Sequence, residues 1–187
     1  MNKKWAIDEL QDIWKLASNL HDGQKYGGQE KGQKIEYINH IGSVTFEILK
    51  AIEIDNTLNS DLSIKCAILH DTIEDTKLTI EEVENRFGKN VANGVLALTK
   101  KEQDDTVKDK MLDSLARIKK QPKEVWAVKM ADRICNLYAP PFYWSNDKKK
   151  AYLEEAKIIH EELKEGSSYL ANRLLEKIEK YNFFIDE

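Results

Sequence analysis

The chain has 187 residues, with 29 Lys and Arg against 33 Asp and Glu, for a net charge of −4. That length suits one domain with a core of its own, and the acidic balance argues against a general nucleic-acid binder. No apolar run approaches the roughly 20 residues of a membrane span, and the opening MNKKWAIDELQD turns acidic where a signal peptide would turn apolar, so the expectation is a cytoplasmic protein with no membrane partner.

Trp5, Leu10, Ile13, Trp14, Ala17 and Leu20 recur at helical spacing, with His21 four residues after Ala17 on the same stripe. They predict a first amphipathic helix, on which His21 is a core residue. The segment DGQKYGGQEKGQK contains four glycines and no apolar period, which predicts a loop, one able to face a substrate. EYINHIGSVTFEILKAIEI resumes the period through Val44, Ile48 and Ile52 and places His40 at the head of a second helix, pointing inward. Leu62, Cys66, Leu69 and Ile73 predict a third helix running unbroken through HDTIED.

Thr79 followed by Glu82 is a capping-box signature, with Ile80, Val83 and Phe87 as the buried side of a fourth helix and Gly88 as its stop. Val91, Val95 and Leu98 mark a fifth helix ending near Lys100. KKEQDD reads as a loop, and Thr106 as the cap of a sixth helix carrying Val107, Met111, Leu115 and Ile118. Pro122 suits the first turn of a seventh, PKEVWAVKMADRICNLY, whose buried stripe is Val125, Val128, Ala131, Cys135 and Tyr138. After the aromatic turn APPFYW come two more helices, roughly Asp147 to Glu165 and Ser168 to Tyr181, capped near Asn146 and Ser167. Every element reads as helix, so residues 1–187 are expected to form a single all-α domain of about eight or nine helices, without strands. Cys66 and Cys135 sit on apolar stripes and read as core residues. His160 reads as a surface or structural residue, and the aromatic segments Pro140 to Trp144 and Tyr181 to Ile185 are candidate packing surfaces.

Chemistry concentrates in CAILHDTIEDT, residues 66–76. On a regular helix, with residues about 100° apart, Glu74, Asp71 and Asp75 lie at roughly 40°, 100° and 140° from His70, while Cys66, Leu69 and Ile73 occupy the other side. Three carboxylates this close require a cation or protonation, unless they form an ordinary solvated acidic face. Asp132, with Asn136, lies within the buried stripe of the seventh helix, where a bare carboxylate costs several kcal/mol. Either Arg133 or Lys129 pairs with it, or a metal does. His40, His70, Asp71 and Asp132 come from three helices, and imidazole with carboxylate suits Mn, Fe, Co, Ni or Zn. Such a metal makes hydroxide available at neutral pH, and Glu74 and Asp75 are placed to orient a water or exchange protons with a leaving group. The implied reaction is hydrolysis of a phosphate ester or anhydride.

HDTIEDT at 70–76, preceded by AIL and followed by a helix ending in FG, resembles the HD motif of the RelA/SpoT alarmone hydrolases. YINH at 37–40 and VKMADRICNL at 128–137 resemble that family's other metal-ligand segments in order and spacing, as do HDGQ at 21–24 and LTK at 98–100. The resemblance covers most of residues 14–138 and is closest to the single-domain small alarmone hydrolases, which implies an HD-type metal-dependent phosphohydrolase domain with an HD-domain helical bundle. It implies Mn²⁺ held by His40, His70, Asp71 and Asp132, with Glu74 and Asp75 as the catalytic acidic pair, and hydrolysis of the 3′-pyrophosphate of ppGpp or pppGpp to GDP or GTP. It also implies that Asn136 faces the nucleotide and that Lys129 helps neutralise its charge. The chain departs from the family where an Arg, often followed by Lys, stands just after the HxGQ segment: here Tyr26 precedes Gly27 and Gly28. A tyrosine ring stacks on a base without adding charge. Lys25, Lys31 and Lys34 are candidate replacement cations in a longer loop, and Ile41 stands where a proline commonly follows the ligand histidine. The expected partner is a small phosphorylated nucleotide. Two further readings keep parts of this picture: hydrolysis of another phosphorylated nucleotide such as NADPH, and a nucleotide-binding regulator without turnover.

Overall fold

Two helices are buried nearly all round although both carry charged residues, and those charges need partners inside the protein. They form the middle of the protein. The structure, a computed structural model, describes residues 5–100 and 107–185. Its helices, numbered in chain order, are α1 (Ile7–Leu20), α2 (Ile38–Ile54), α3 (Ser60–Leu69), α4 (Thr72–Asp75), α5 (Ile80–Phe87), α6 (Lys89–Leu98), α7 (Val107–Ile118), α8 (Lys123–Asn136), α9 (Asn146–Leu163) and α10 (Ser168–Tyr181). Among the described residues nine of them are eight residues or longer, which agrees with an all-α bundle.

The two central helices are α3, buried from Asp61 to Leu69, and α8, on which Val125, Ala127, Val128, Met130, Ala131 and Ile134 have no exposed surface. Helix α2 packs against both, α9 and α10 flank α8, and α1 and α6 close over α3. Because α8 has no solvent face, its polar residues Lys129, Asp132 and Arg133 are carried inside with the rest. Ion pairs fasten the surrounding layer: buried Glu47 of α2 accepts two bonds from the Arg173 guanidinium of α10, at 2.6 and 2.5 Å, and buried Lys65 bridges Asp61 and Glu9. A bidentate pair of this kind fixes orientation as well as distance.

Local signals fold largely as their chemistry dictates. Asn59, Ser145 and Ser167 cap α3, α9 and α10 with side-chain oxygens, and Thr79 with Glu82 forms the full capping box of α5. Gly88 ends α5 at φ +86°, a conformation that other residues rarely adopt. Both cysteines are free.

Several expectations are corrected. The segment after α1 is not a plain loop: Lys25–Gly27 (β1) and Lys34–Glu36 (β2) pair antiparallel, with Tyr26 facing Ile35 across the ladder. Three-residue strands are too short to show an alternating pattern. Tyr138 is half exposed because α8 has already ended at Asn136, Pro122 sits just outside the first turn of α8, and the cap of α9 is Ser145, one residue earlier than expected. Helix α9 also stops at Leu163 and passes into a 3₁₀ turn over Lys164–Gly166. Tyr181 and Ile185 pack into the protein's own core, whereas Phe142, Tyr143 and Phe183 remain exposed. Most of the KKEQDD segment and the Thr106 cap lie outside the described residues. No helix among the described residues is long and apolar enough to cross a membrane.

Candidate active site

The site is built around a break in a helix. The sequence pattern runs on from Leu62 to Ile73, yet α3 stops at Leu69 and α4 starts afresh at Thr72. Two side chains explain the interruption. His70 Nδ1 bonds the Ala67 carbonyl at 2.8 Å and Thr72 Oγ1 donates to the Leu69 carbonyl at 2.7 Å, both competing with the helical ladder. Asp71, at φ −103° and ψ −1°, turns the chain between them. The regular-helix map that separated His70 from Asp71 by about 100° is therefore replaced: Asp71 Oδ2 lies 2.9 Å from His70 Nε2.

His40 enters from the first turn of α2 and Asp132 from the buried run of α8. His40 Nε2 lies 3.3 Å from His70 Nε2, 3.3 Å from Asp132 Oδ1 and 3.7 Å from Asp71 Oδ2. Ligand atoms of His40, His70 and Asp132 all fall within 4.8 Å of one another. The bond from His70 Nδ1 to a carbonyl places a hydrogen there, so that Nε2 is the nitrogen that offers its lone pair to the cluster once its own proton is lost. Two imidazole nitrogens and two carboxylate oxygens thus converge, a donor set that fits a divalent transition metal.

The surroundings hold these groups in charge and place. Lys129 Nζ donates to Asp132 Oδ2 at 2.9 Å and Asn136 Nδ2 to Oδ1 at 2.5 Å. The partner of Asp132 is therefore Lys129; Arg133 turns away to Glu155 and lies over the Tyr152 ring. Burial favours a neutral Asp132, but Lys129 and the two histidines hold its carboxyl well below the usual range, and Asp71 is lowered in the same way by His70. Burial likewise opposes a charge on His70, yet Asp71 and Asp132 push its pKa up to about 9. In the absence of a cation, a proton on His70 does the neutralising. Since that pKa is raised above its ordinary value of 6.5, the associated stability is fully present below about pH 6.5 and is lost as pH rises through about 9. A metal takes the place of the proton, so the melting-temperature gap between metal-loaded and chelator-treated protein should widen steadily from pH 6 to 9. A gap that stays constant over that range would remove His70 from the ligand set.

Residues 14–174 match the HD domain family. This chain belongs to the HD-domain family. It is 29% identical over 166 residues to guanosine-3′,5′-bis(diphosphate) 3′-pyrophosphohydrolase MESH1 of Xenopus tropicalis, covering 85% of this chain and 87% of that protein. The mouse protein of the same name is 28% identical over 184 residues, covering 92% of this chain and 94% of its own length. Among solved structures, the one titled "A metazoan ortholog of SpoT hydrolyzes ppGpp and plays a role in starvation responses" superimposes at a TM-score of 0.78 and 21% identity, over 95% of this chain and 98% of that one. It shows that the HD-domain fold is shared.

In this HD domain the remaining residues singled out from sequence separate into two cavities. Glu74, Asp75, Lys129 and Asn136 line a cleft of about 860 Å³ together with His40, His70, Asp71 and Asp132. Tyr26 lines an adjoining chamber of about 630 Å³, which shares Tyr37, His40, Asn136 and Tyr152 with the cleft. Lys25 lines neither; it is held by Glu36 across the hairpin at 2.5 Å, and Lys31 and Lys34 are exposed beside it.

Sequence reasoning missed three parts of the HD-domain site. Tyr37 donates to Asp71 Oδ2 at 2.5 Å and lies between the rings of His21 and His40, at 5.1 and 5.4 Å. Its position three residues before His40 was the available signal. Lys100 grips Glu74 twice, through its backbone N–H at 2.8 Å and its ammonium at 3.1 Å. The HDGQ segment also gains a purpose: His21 bonds Gln24, and Gln24 Nε2 donates to the Asp75 carbonyl at 2.7 Å. The end of α1 thus fastens the backbone that carries the acidic pair.

Proposed function

We propose that this HD domain is a Mn²⁺-dependent hydrolase of the 3′-pyrophosphate of guanosine alarmones, converting ppGpp or pppGpp to GDP or GTP and pyrophosphate. The observation that carries the reading is the meeting of His40, His70, Asp71 and Asp132 in one cleft with Glu74 and Asp75 on its wall. The names borne by the Xenopus and mouse relatives support the choice of substrate.

A divalent cation held by those four residues would supply an activated water and charge for the phosphoryl oxygens. The protein's own residues supply position and protons. Tyr37 and His70 orient Asp71, Lys129 and Asn136 orient Asp132, and both carboxylates are thereby held in place before substrate arrives. Lys100 holds Glu74 in the cleft wall, and its ammonium, paired there with Glu74, is near enough to meet a bound pyrophosphate. Burial, then Asp71 and Glu74, raise the Asp75 carboxyl above the usual range. A carboxyl that keeps its proton longer is suited to pass it to the departing nucleoside oxygen.

The test is pyrophosphate release from ppGpp by purified protein with added Mn²⁺, with chelated protein as the control. Metal-dependent release is expected. Metal-dependent cleavage of NADPH with ppGpp left intact would replace this reading by the other one, which gains some support from the absence of any lysine or arginine among the described residues lining the aromatic chamber.

A further inference from the structure

Glu74 is held in the cleft wall by a chain of contacts that begins outside the cleft. Helix α6 ends at Leu98 with no glycine after it: Thr99 leaves in an extended conformation, φ −66° and ψ 128°, so no left-handed turn covers the last carbonyls. A guanidinium covers them instead. Arg117 of α7 donates from Nη1 to the Leu96 carbonyl at 2.7 Å and the Ala97 carbonyl at 2.9 Å, and from Nη2 to the Thr99 carbonyl at 2.9 Å. Its Nε–H is held in turn by Asp113 at 2.8 Å, and Ser114 Oγ adds a bond to the Ala97 carbonyl at 3.2 Å. With three carbonyls on one edge and a carboxylate on the other, the planar fork has one orientation open to it.

The last of these contacts reaches the site. The Thr99 carbonyl and the Lys100 N–H belong to one trans peptide unit, and that N–H donates to Glu74 Oε2 at 2.8 Å. Such a unit is planar and stiff, with its C=O and N–H pointing opposite ways, so fixing the oxygen aims the hydrogen. A cation on the oxygen also polarises the unit and strengthens its N–H as a donor. Arg117 and Glu74 therefore grip opposite edges of the same peptide, and the Lys100 ammonium closes on Oε1 at 3.1 Å. Arg117 does not itself line the metal cleft.

Resting on the proposed reaction, we infer that Arg117 is a positioning residue for hydrolysis: by holding the Thr99–Lys100 peptide it aims the Lys100 N–H at Glu74 and keeps that carboxylate in the cleft wall. A plain helix cap would stabilise α6 and leave the chemistry alone. A positioning residue changes the turnover of protein that is fully folded, because a small misplacement of a reacting group is costly.

Hydrogen exchange at the Lys100 amide, followed by NMR, reads the clamp without turnover. In Arg117→Met that amide should exchange about tenfold faster or more, while the Val95 amide inside α6 stays within about threefold of the parent. Arg117→Lys, which keeps the charge and loses the fork, should fall between the two and guards against a Met variant that folds poorly. In hydrolysis of ppGpp by Mn²⁺-loaded protein, Arg117→Met should lower kcat by about tenfold with manganese content unchanged. Added to Glu74→Gln, the same substitution should cost less than about twofold more, since both act through one contact. If the parent proves inactive on ppGpp, the hydrolase reading falls and the exchange result still decides the clamp. A lowered melting temperature with Lys100 exchange or kcat unchanged, or losses that multiply in the double variant, would overturn the inference.

Discussion

Asp71→Ala is expected to leave the purified protein nearly free of bound manganese and to lower pyrophosphate release from ppGpp by about a thousandfold, equivalent to roughly 4 kcal/mol in the barrier. The size follows from what Asp71 does in the cluster. Its Oδ2 lies 2.9 Å from His70 Nε2 and accepts the Tyr37 hydroxyl, so its removal takes away one donor atom and releases two neighbours at once. The break between α3 and α4 is held by His70 and Thr72, so the variant should keep its helical circular dichroism. Metal content by mass spectrometry and the hydrolysis rate are the two readouts. Full metal occupancy together with an unchanged rate would show that the cluster is a set of internal ion pairs.

Asp75→Asn should behave differently: manganese retained, KM little altered, and kcat lower by about 10²–10⁴-fold, the usual worth of a positioned proton donor. Asp75 is one turn beyond Asp71 and is held through its backbone by Gln24, so the variant keeps the local fold. The pH profile gives the sharper readout. Because burial, Asp71 and Glu74 raise the Asp75 pKa, the carboxyl retains its proton above the usual carboxylate range, and the rate of a reaction needing that proton should fall as pH rises through it. In the Asn variant that limb should vanish. If instead the variant loses metal in step with activity, Asp75 belongs to the metal cluster.

The contrast between these variants also marks how much was legible in the residues. Burial on the long helices follows local spacing, so the stripe of Val44 and Ile48, that of Val91 and Val95, and the capping box of Thr79 and Glu82 could be read directly, and the all-α architecture with them. His70 next to Asp71, and Asp132 within an apolar run, are visible in the sequence as chemistry out of place, and that pattern points to a metal. Spacing could not show that the helix stops between Leu69 and Thr72, because the competing bonds come from side chains that would also fit a continuous helix.

The sequence by itself determined most of the long helices, much of their buried faces and the residue types available for chemistry, since each depends on neighbours within one or two turns. Only the tertiary structure decided which of those residues meet. It chose Lys129 over Arg133 as the partner of Asp132, tied Lys25 to Glu36 and away from either cavity, drew Tyr37 and Lys100 into the site, and made an aromatic chamber from a three-residue strand and a loop more than a hundred residues later. Those contacts join segments far apart in the chain, and their energies depend on the packing of α2, α3 and α8 around one another, which no local periodicity records.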